Sequence, residues 1–88
     1  MRTYSGVPSA LADELRRTLI SVMEQLDEAE GVRDNCLIVA ESALKRGETE
    51  RGADYLLRAA SASEKLGESA RASHMFERAA EQIGRAHV

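Results

Sequence analysis

Apolar residues recur three and four positions apart along almost the whole chain, with charged residues filling the positions between them. That spacing marks helices with one buried face, and the alternation by twos that marks a strand does not occur. Alanine, leucine, glutamate and arginine are abundant while valine, isoleucine and threonine are few, which favours the same reading. The pattern predicts helices over about 8–30, 32–46, 49–66 and 69–86. The expected fold is all-α: a compact antiparallel bundle of about four helices joined by short turns, in a single domain spanning 1–88.

The first helix is expected to begin near Pro8 or Ser9, where proline suits a first turn and Asp13 and Glu14 lie close to the positive end of the dipole. Its inward stripe is read as Leu11, Leu15, Leu19, Val22, Leu26 and Ala29. Gly31 is the natural stop, and the second helix then turns Val32, Cys36, Val39, Ala40 and Ala43 inward before Lys45, Arg46 and Gly47 end it. A heptad can also be drawn through Gly31 as one long helix, but it would set Arg33 in the apolar seam, so a break is the preferred reading.

From Lys45 onward the chain repeats itself. Residues 45–64 and 65–84 agree at Lys45/Lys65, Gly47/Gly67, Glu48/Glu68, Arg51/Arg71, Arg58/Arg78, Ala59/Ala79 and Ala60/Ala80. Each unit reads as one helix plus its turn: basic residues close a helix, a glycine supplies the left-handed cap, and Thr49 or Ser69 is placed to cap the next helix through its hydroxyl. Turns this short make neighbouring helices antiparallel. The packing faces repeat as well, Gly52, Leu56, Ala59 and Ala60 in one unit against Ala72, Phe76, Ala79 and Ala80 in the next, with Phe76 expected as the main core filler.

The spacing of Gly67, Ala72, Phe76 and Ala79 resembles the tetratricopeptide repeat, in which a turn glycine is followed by a small residue, an aromatic four later and an alanine three after that. The resemblance covers Ala53 to Gly84. It departs from the family pattern at Leu56, where tryptophan is usual, at Ala59, Ala60 and Ser63, and at Gly84, where proline is usual. It implies a peptide- or protein-binding helical hairpin, although one degenerate copy does not build the multi-repeat groove of that family.

Composition narrows the picture further. Eighty-eight residues with only Tyr4, Tyr55 and Phe76 as aromatics give one modest, aliphatic, alanine-rich core. Cys36 is the sole cysteine, which excludes an intramolecular disulfide and a thiolate metal cluster, and it is expected to be a buried structural thiol in a reducing compartment. The longest strictly apolar run, Cys36 to Ala40, is far too short to span a bilayer, and Met1 to Ala10 lacks the apolar stretch of a secretory signal. A cytoplasmic protein with no membrane partner is the expectation.

Charge separates the halves. Residues 1–44 hold four basic and eight acidic side chains, residues 45–88 eight basic and seven acidic, and the net charge of −3 argues against general nucleic-acid binding. Arg51, Arg58 and Lys65, then Arg71, Arg78 and Arg85, recur at sevens and draw a basic ridge opposite the packing faces. Glu48 with Arg51, Asp54 with Arg58, Glu68 with Arg71 and Glu81 with Arg85 have the spacing of ordinary pairs on a solvated helix.

In the N-terminal half Glu24, Asp27, Glu28, Glu30 and Asp34 crowd the junction of the first two helices, where they oppose the dipole and one another. Ile20 falls off the leucine stripe beside Arg16 and Asp27, Ile38 falls opposite Cys36 and Ala40, and Met23 is claimed by no core stripe. Apolar anchors rimmed by carboxylates are the composition of a protein interface, so Ile20, Met23, Glu24, Asp27, Glu28, Glu30, Asp34 and Ile38 are the candidate partner-binding residues.

Convergent chemistry is missing from the sequence. His74 lies on an outer helix side near Glu77 and Arg78, His87 lies at the C-terminal end, no second ligand pair completes a metal site, and no glycine-rich phosphate loop occurs. The residues therefore predict no enzyme, no metal and no cofactor, but a small protein that binds another protein as adaptor, regulator or inhibitor. Three alternatives stand beside it: an acidic helical inhibitor occupying the nucleic-acid groove of a basic partner, a nucleic-acid-associated protein using the basic ridge, and a self-assembling homo-oligomer that buries its outward isoleucines.

Overall fold

The computed structural model describes residues 9–86, so the readings placed on Pro8 and His87 lie outside the described residues. Four helices run through these residues: α1 (Ser9–Gln25), α2 (Ala29–Lys45), α3 (Thr49–Lys65) and α4 (Ser69–Ala86). Their first residues, 9, 29, 49 and 69, show that the repeat seen in the second half is the period of the whole described chain.

One device makes every turn. After α2 the Gly47 amide donates to the Leu44 carbonyl at 3.0 Å and the Glu48 amide to the Ala43 carbonyl at 2.9 Å, the paired bonds of a Schellman motif. After α3 Gly67 and Glu68 repeat them to Glu64 at 3.0 Å and Ser63 at 2.9 Å. After α1 the same pair runs from Asp27 to Glu24 at 3.2 Å and from Glu28 to Met23 at 2.9 Å. The bonds require a left-handed residue at the middle of the turn. Gly47 and Gly67 supply it at φ 79°, and Asp27 adopts it at φ 58° without being glycine.

That third turn corrects the predicted boundary. The break between the first two helices is real, but it falls at Leu26–Glu28 and not at Gly31, which lies inside α2 against the Met23 thioether. The first helix therefore ends at Gln25 instead of about 30, and the second begins at Ala29 instead of about 32. The capping expectation is corrected too. Thr49 and Ser69 are already the first residues of α3 and α4, and Glu48 stands at the cap position of α3 with no side-chain cap bond. The cap position is occupied by Glu48, so the Thr49 hydroxyl falls one residue inside the helix.

Each helix packs on its sequence neighbours, α1 on α2, α2 on α3 and α3 on α4. The result is a slab of 47 × 36 × 19 Å. Alternate helices are tied across it by ion pairs: α1 to α3 through Glu24 and Arg58 at 2.6 Å, and α2 to α4 through Glu41 and Arg78 at 2.9 Å. Arg33, nearly buried, reaches from α2 to Glu68 at 2.7 Å, so the charged residue that spoiled the seam of a continuous helix finds its partner at the start of α4.

The core is centred on α2 and α3. Val32, Cys36, Val39, Ala40 and Ala43 are buried as expected, as are Gly52, Leu56, Ala59 and Ala60. Gly52 lets α3 approach α2 closely, because a Cβ there would strike the Leu44 side chain. The face of α4 differs from its expectation. Ala72 and Ala79 are buried, but Met75 at 5% exposure is the large side chain driven inward, while Phe76 is only partly covered and Ala80 is exposed. The face is rotated because, among the described residues, α4 has a neighbour on one side alone.

Candidate interaction surface

The largest departure from expectation is the orientation of α1. Leu11, Leu15, Leu19, Val22 and Leu26, read as the inward stripe, are 44%, 58%, 48%, 46% and 66% exposed. Ile20, read as an outward anchor, is fully buried at 0%. The helix is thus turned so that its most apolar stripe faces away from the bundle.

The twenty-residue period explains what that stripe is. Counting forward by twenty, Leu15 corresponds to Asn35, Tyr55 and Met75, Leu19 to Val39, Ala59 and Ala79, and Val22 to Ser42 and Ala62. These positions look back toward the preceding helix. Asn35 of α2 accepts from Arg16 of α1 at 2.8 Å, Ser42 of α2 donates to Asp13 of α1 at 2.8 Å, and Met75 of α4 accepts from Ser63 of α3 at 3.6 Å. Tyr55, Val39, Ala59, Ala62 and Ala79 are accordingly buried. In α1 the same register carries leucine and valine with no helix in front of it among the described residues. Sequence reasoning missed this face because it sent the longest apolar stripe inward; the signal that locates it is the period itself.

The acidic cluster has a different character from the one its sequence implied. Glu24 is held by Arg58 at 2.6 Å, Asp27 by Lys65 at 3.5 Å, and Glu30 and Asp34 by Arg33 at 3.8 and 2.8 Å. Four of the five carboxylates thus meet a basic side chain, and the two cations supplied by α3, Arg58 and Lys65, are the ones that charge counting over residues 1–44 cannot show. The hydrogen bond from Arg33 draws the Asp34 carboxyl below its ordinary value despite partial desolvation.

Glu24, Asp27 and Glu28 do come together, on the rim of a cleft of about 240 Å³ between the α1–α2 turn and α3, floored by Ala29, Val32, Leu57 and Ala62. Met23 is drawn inward and packs against the core. Glu30 and Asp34 turn to Arg33, and Ile38 stands alone on the outer side of α2 at 47% exposure, as expected.

The basic ridge also dissolves on inspection. Arg58 does not stand opposite the packing face: it crosses to Glu24 and lies over the Tyr55 ring at 4.7 Å. Lys65 turns to Asp27 and Arg78 to Glu41. The four expected intrahelical pairs are all present, at 3.4 Å for Glu48 and Arg51, 4.0 Å for Asp54 and Arg58, 3.6 Å for Glu68 and Arg71, and 3.9 Å for Glu81 and Arg85.

Cys36 is buried, and burial pushes its thiol up to about 12, so at neutral pH it stays protonated and behaves as a small apolar side chain. His74 is exposed on the outer side of α4. Among the described residues no cluster of His, Cys, Asp and Glu is arranged to hold a metal ion, and no helix is long and apolar enough to cross a membrane. Comparison with protein-family models, curated proteins and solved structures returns no match to this chain.

Proposed function

We propose that this chain is a protein-interaction module whose working surface is the outer face of α1, and that this face receives an apolar helical segment in the place a preceding helix would occupy. The observation that carries the reading is register: α1 keeps Leu15, Leu19 and Val22 at positions whose counterparts in α2, α3 and α4 are largely covered. A contiguous apolar stripe along one helix is the surface that helix-in-groove and helix-on-helix recognition uses. The tetratricopeptide-like spacing of Gly67, Ala72, Phe76 and Ala79 points toward the same class of function. On this reading the carboxylates around Glu24 and Asp27 are mainly structural, since they are engaged within the chain, and Ile38 is a secondary apolar contact.

Photo-crosslinking in the native host tests the proposal. A benzophenone side chain at Leu19 should give discrete polypeptide adducts, whereas one at Arg51, exposed on α3, should give none. Adducts from Arg51 with none from Leu19 would transfer the working face elsewhere.

A further inference from the structure

The spacing within the α1 stripe narrows what its occupant is. Leu15, Leu19, Val22 and Leu26 are separated by four, three and four residues, the alternation of a two-helix coiled-coil seam, which accepts a helix carrying the same spacing. We infer that the occupant is a second copy of this chain, seated through its own α1 in antiparallel orientation about a two-fold axis between Ile20 and Ser21. The inference rests on the reading of α1 as a docking face given above.

Three features favour a second copy. The stripe is self-complementary in that sense: Leu15 meets the partner copy's Leu26, Leu19 meets its Val22, and the two-fold repeats both layers. Its borders carry no opposing charge. Thr18 would face Gln25 on one edge, and on the other Arg16 would pass the partner copy's Met23, with Arg16 turned back to Asn35 at 2.8 Å and Met23 packed inward against Gly31. An isologous contact usually fails when like charges face each other, and here none do.

The third feature is area. The exposed fractions of the stripe, with Thr18 and Gln25 at its rim, place the surface buried by two copies on the order of 1,000 Å², the lower bound for a specific interface. A reversible dimer follows, and not an obligate one. The opposite end of the array offers a poorer match, because the outer face of α4 presents only Ile83 at 39% exposure and a half-covered Phe76 as large apolar side chains among the described residues.

Sedimentation equilibrium from about 10 to 500 µM should show the mass rising from one chain toward two. Leu19→Asp and Leu15→Lys should each return it to a monomer with unchanged helicity, and Ile83→Asp should leave the dimer intact. Orientation is read by mixing two single variants: Thr18→Cys with Gln25→Cys should form an interchain disulfide that neither forms alone, with the buried Cys36 silent in both. A monomer over the whole range overturns the inference, and so does a dimer lost in Ile83→Asp but kept in Leu19→Asp, which would place the two-fold contact on α4. A disulfide formed by Thr18→Cys alone overturns the antiparallel register. The two proposals fail separately: a monomer whose Leu19 still crosslinks a different polypeptide removes the second copy and keeps the docking face, whereas a monomer with no adduct removes both.

Discussion

The guanidinium of Arg58 grips the Glu24 carboxylate with two hydrogen bonds, Nε to Oε2 at 3.1 Å and Nη2 to Oε1 at 2.6 Å, and so joins α3 to the end of α1 across the helix that lies between them. The fork fits a carboxylate in two places, which fixes the angle of α1 as well as its distance. Both side chains are about a third exposed, so solvent screens the pair and its contribution stays modest. A double-mutant cycle with Glu24→Gln and Arg58→Met should give a coupling of about 1 kcal/mol at low salt, shrinking toward zero near 1 M. A costly Arg58→Met with coupling near zero at low salt would mean that Arg58 acts through its stacking on Tyr55.

Core truncations should rank by burial and not by side-chain size. Leu56 is fully buried between α2 and α4, so Leu56→Ala should cost about 2–5 kcal/mol, and Met75→Ala should approach that range. Phe76→Ala should cost no more than about 1–2 kcal/mol, because that ring keeps part of its surface in water already. Urea denaturation of the three variants checks the order; a Phe76→Ala loss equal to that of Leu56→Ala would place the ring at the centre of the core.

Asp27 holds the left-handed position that glycine holds in the other two turns. A residue with a Cβ pays roughly 1 kcal/mol for that conformation, and the compensating pair with Lys65 is long at 3.5 Å and well exposed on both sides. Asp27→Gly should therefore raise stability by about 0.5–1 kcal/mol, while Gly67→Ala should lower it by about 1–2 kcal/mol. Thermal unfolding reads both signs, and a loss in Asp27→Gly would show that the Lys65 pair outweighs the backbone term.

These turns also show where the sequence was legible. Helix number, the two glycine caps and the inner faces of α2 and α3 could be read directly, because helices flanked on both sides obey the rule that apolar residues face inward. The same rule failed at α1 and α4. An end helix has one neighbour, so α1 buries Ile20 and leaves its leucines outside, and α4 turns Met75 inward ahead of Phe76. The α1–α2 turn was misplaced because aspartate stands where glycine was sought, yet Leu26–Asp27–Glu28 lies twenty residues before Arg46–Gly47–Glu48 and forty before Leu66–Gly67–Glu68. Charge was least legible: the pairs joining Glu24 to Arg58 and Asp27 to Lys65 span more than thirty residues and exist only once the helices are stacked.

Acid should weaken the attachment of α1. Asp13 is buried and accepts from Ser42 Oγ at 2.8 Å and Arg46 Nη1 at 2.7 Å. Burial pushes its carboxyl up, but the hydrogen bonds from Arg46 and Ser42 and the charge of Arg46 together outweigh burial and hold it below its ordinary value. The folded state thus binds this proton more weakly than the unfolded chain does. The stabilisation is fully present above the unfolded value of about 3.9 and is lost as pH falls through the lower folded value. Asp13→Asn should lower the melting temperature at pH 6, and its gap from the parent chain should close as pH falls through the lowered folded value. A gap of constant size would assign the effect to packing and not to charge.

Hydrogen exchange should expose the asymmetry of the array. Helices α2 and α3 are flanked on both sides, so their amides exchange only when most of the bundle opens, whereas α1 is released by breaking one interface. That interface rests on Ile20, on the Asp13 link to Ser42 and Arg46, on Arg16 with Asn35, and on Arg58 with Glu24. Protection at about 1 µM should therefore be lowest in α1 and highest in α2 and α3. Ile20→Ala should cost about 2–4 kcal/mol and accelerate exchange throughout α1, while Leu19→Ala, one residue away but half exposed, should change stability by less than about 1 kcal/mol. Equal effects of the two substitutions, or an α1 as slow to exchange as α3, would show that the leucine stripe and not Ile20 anchors this helix to the fold.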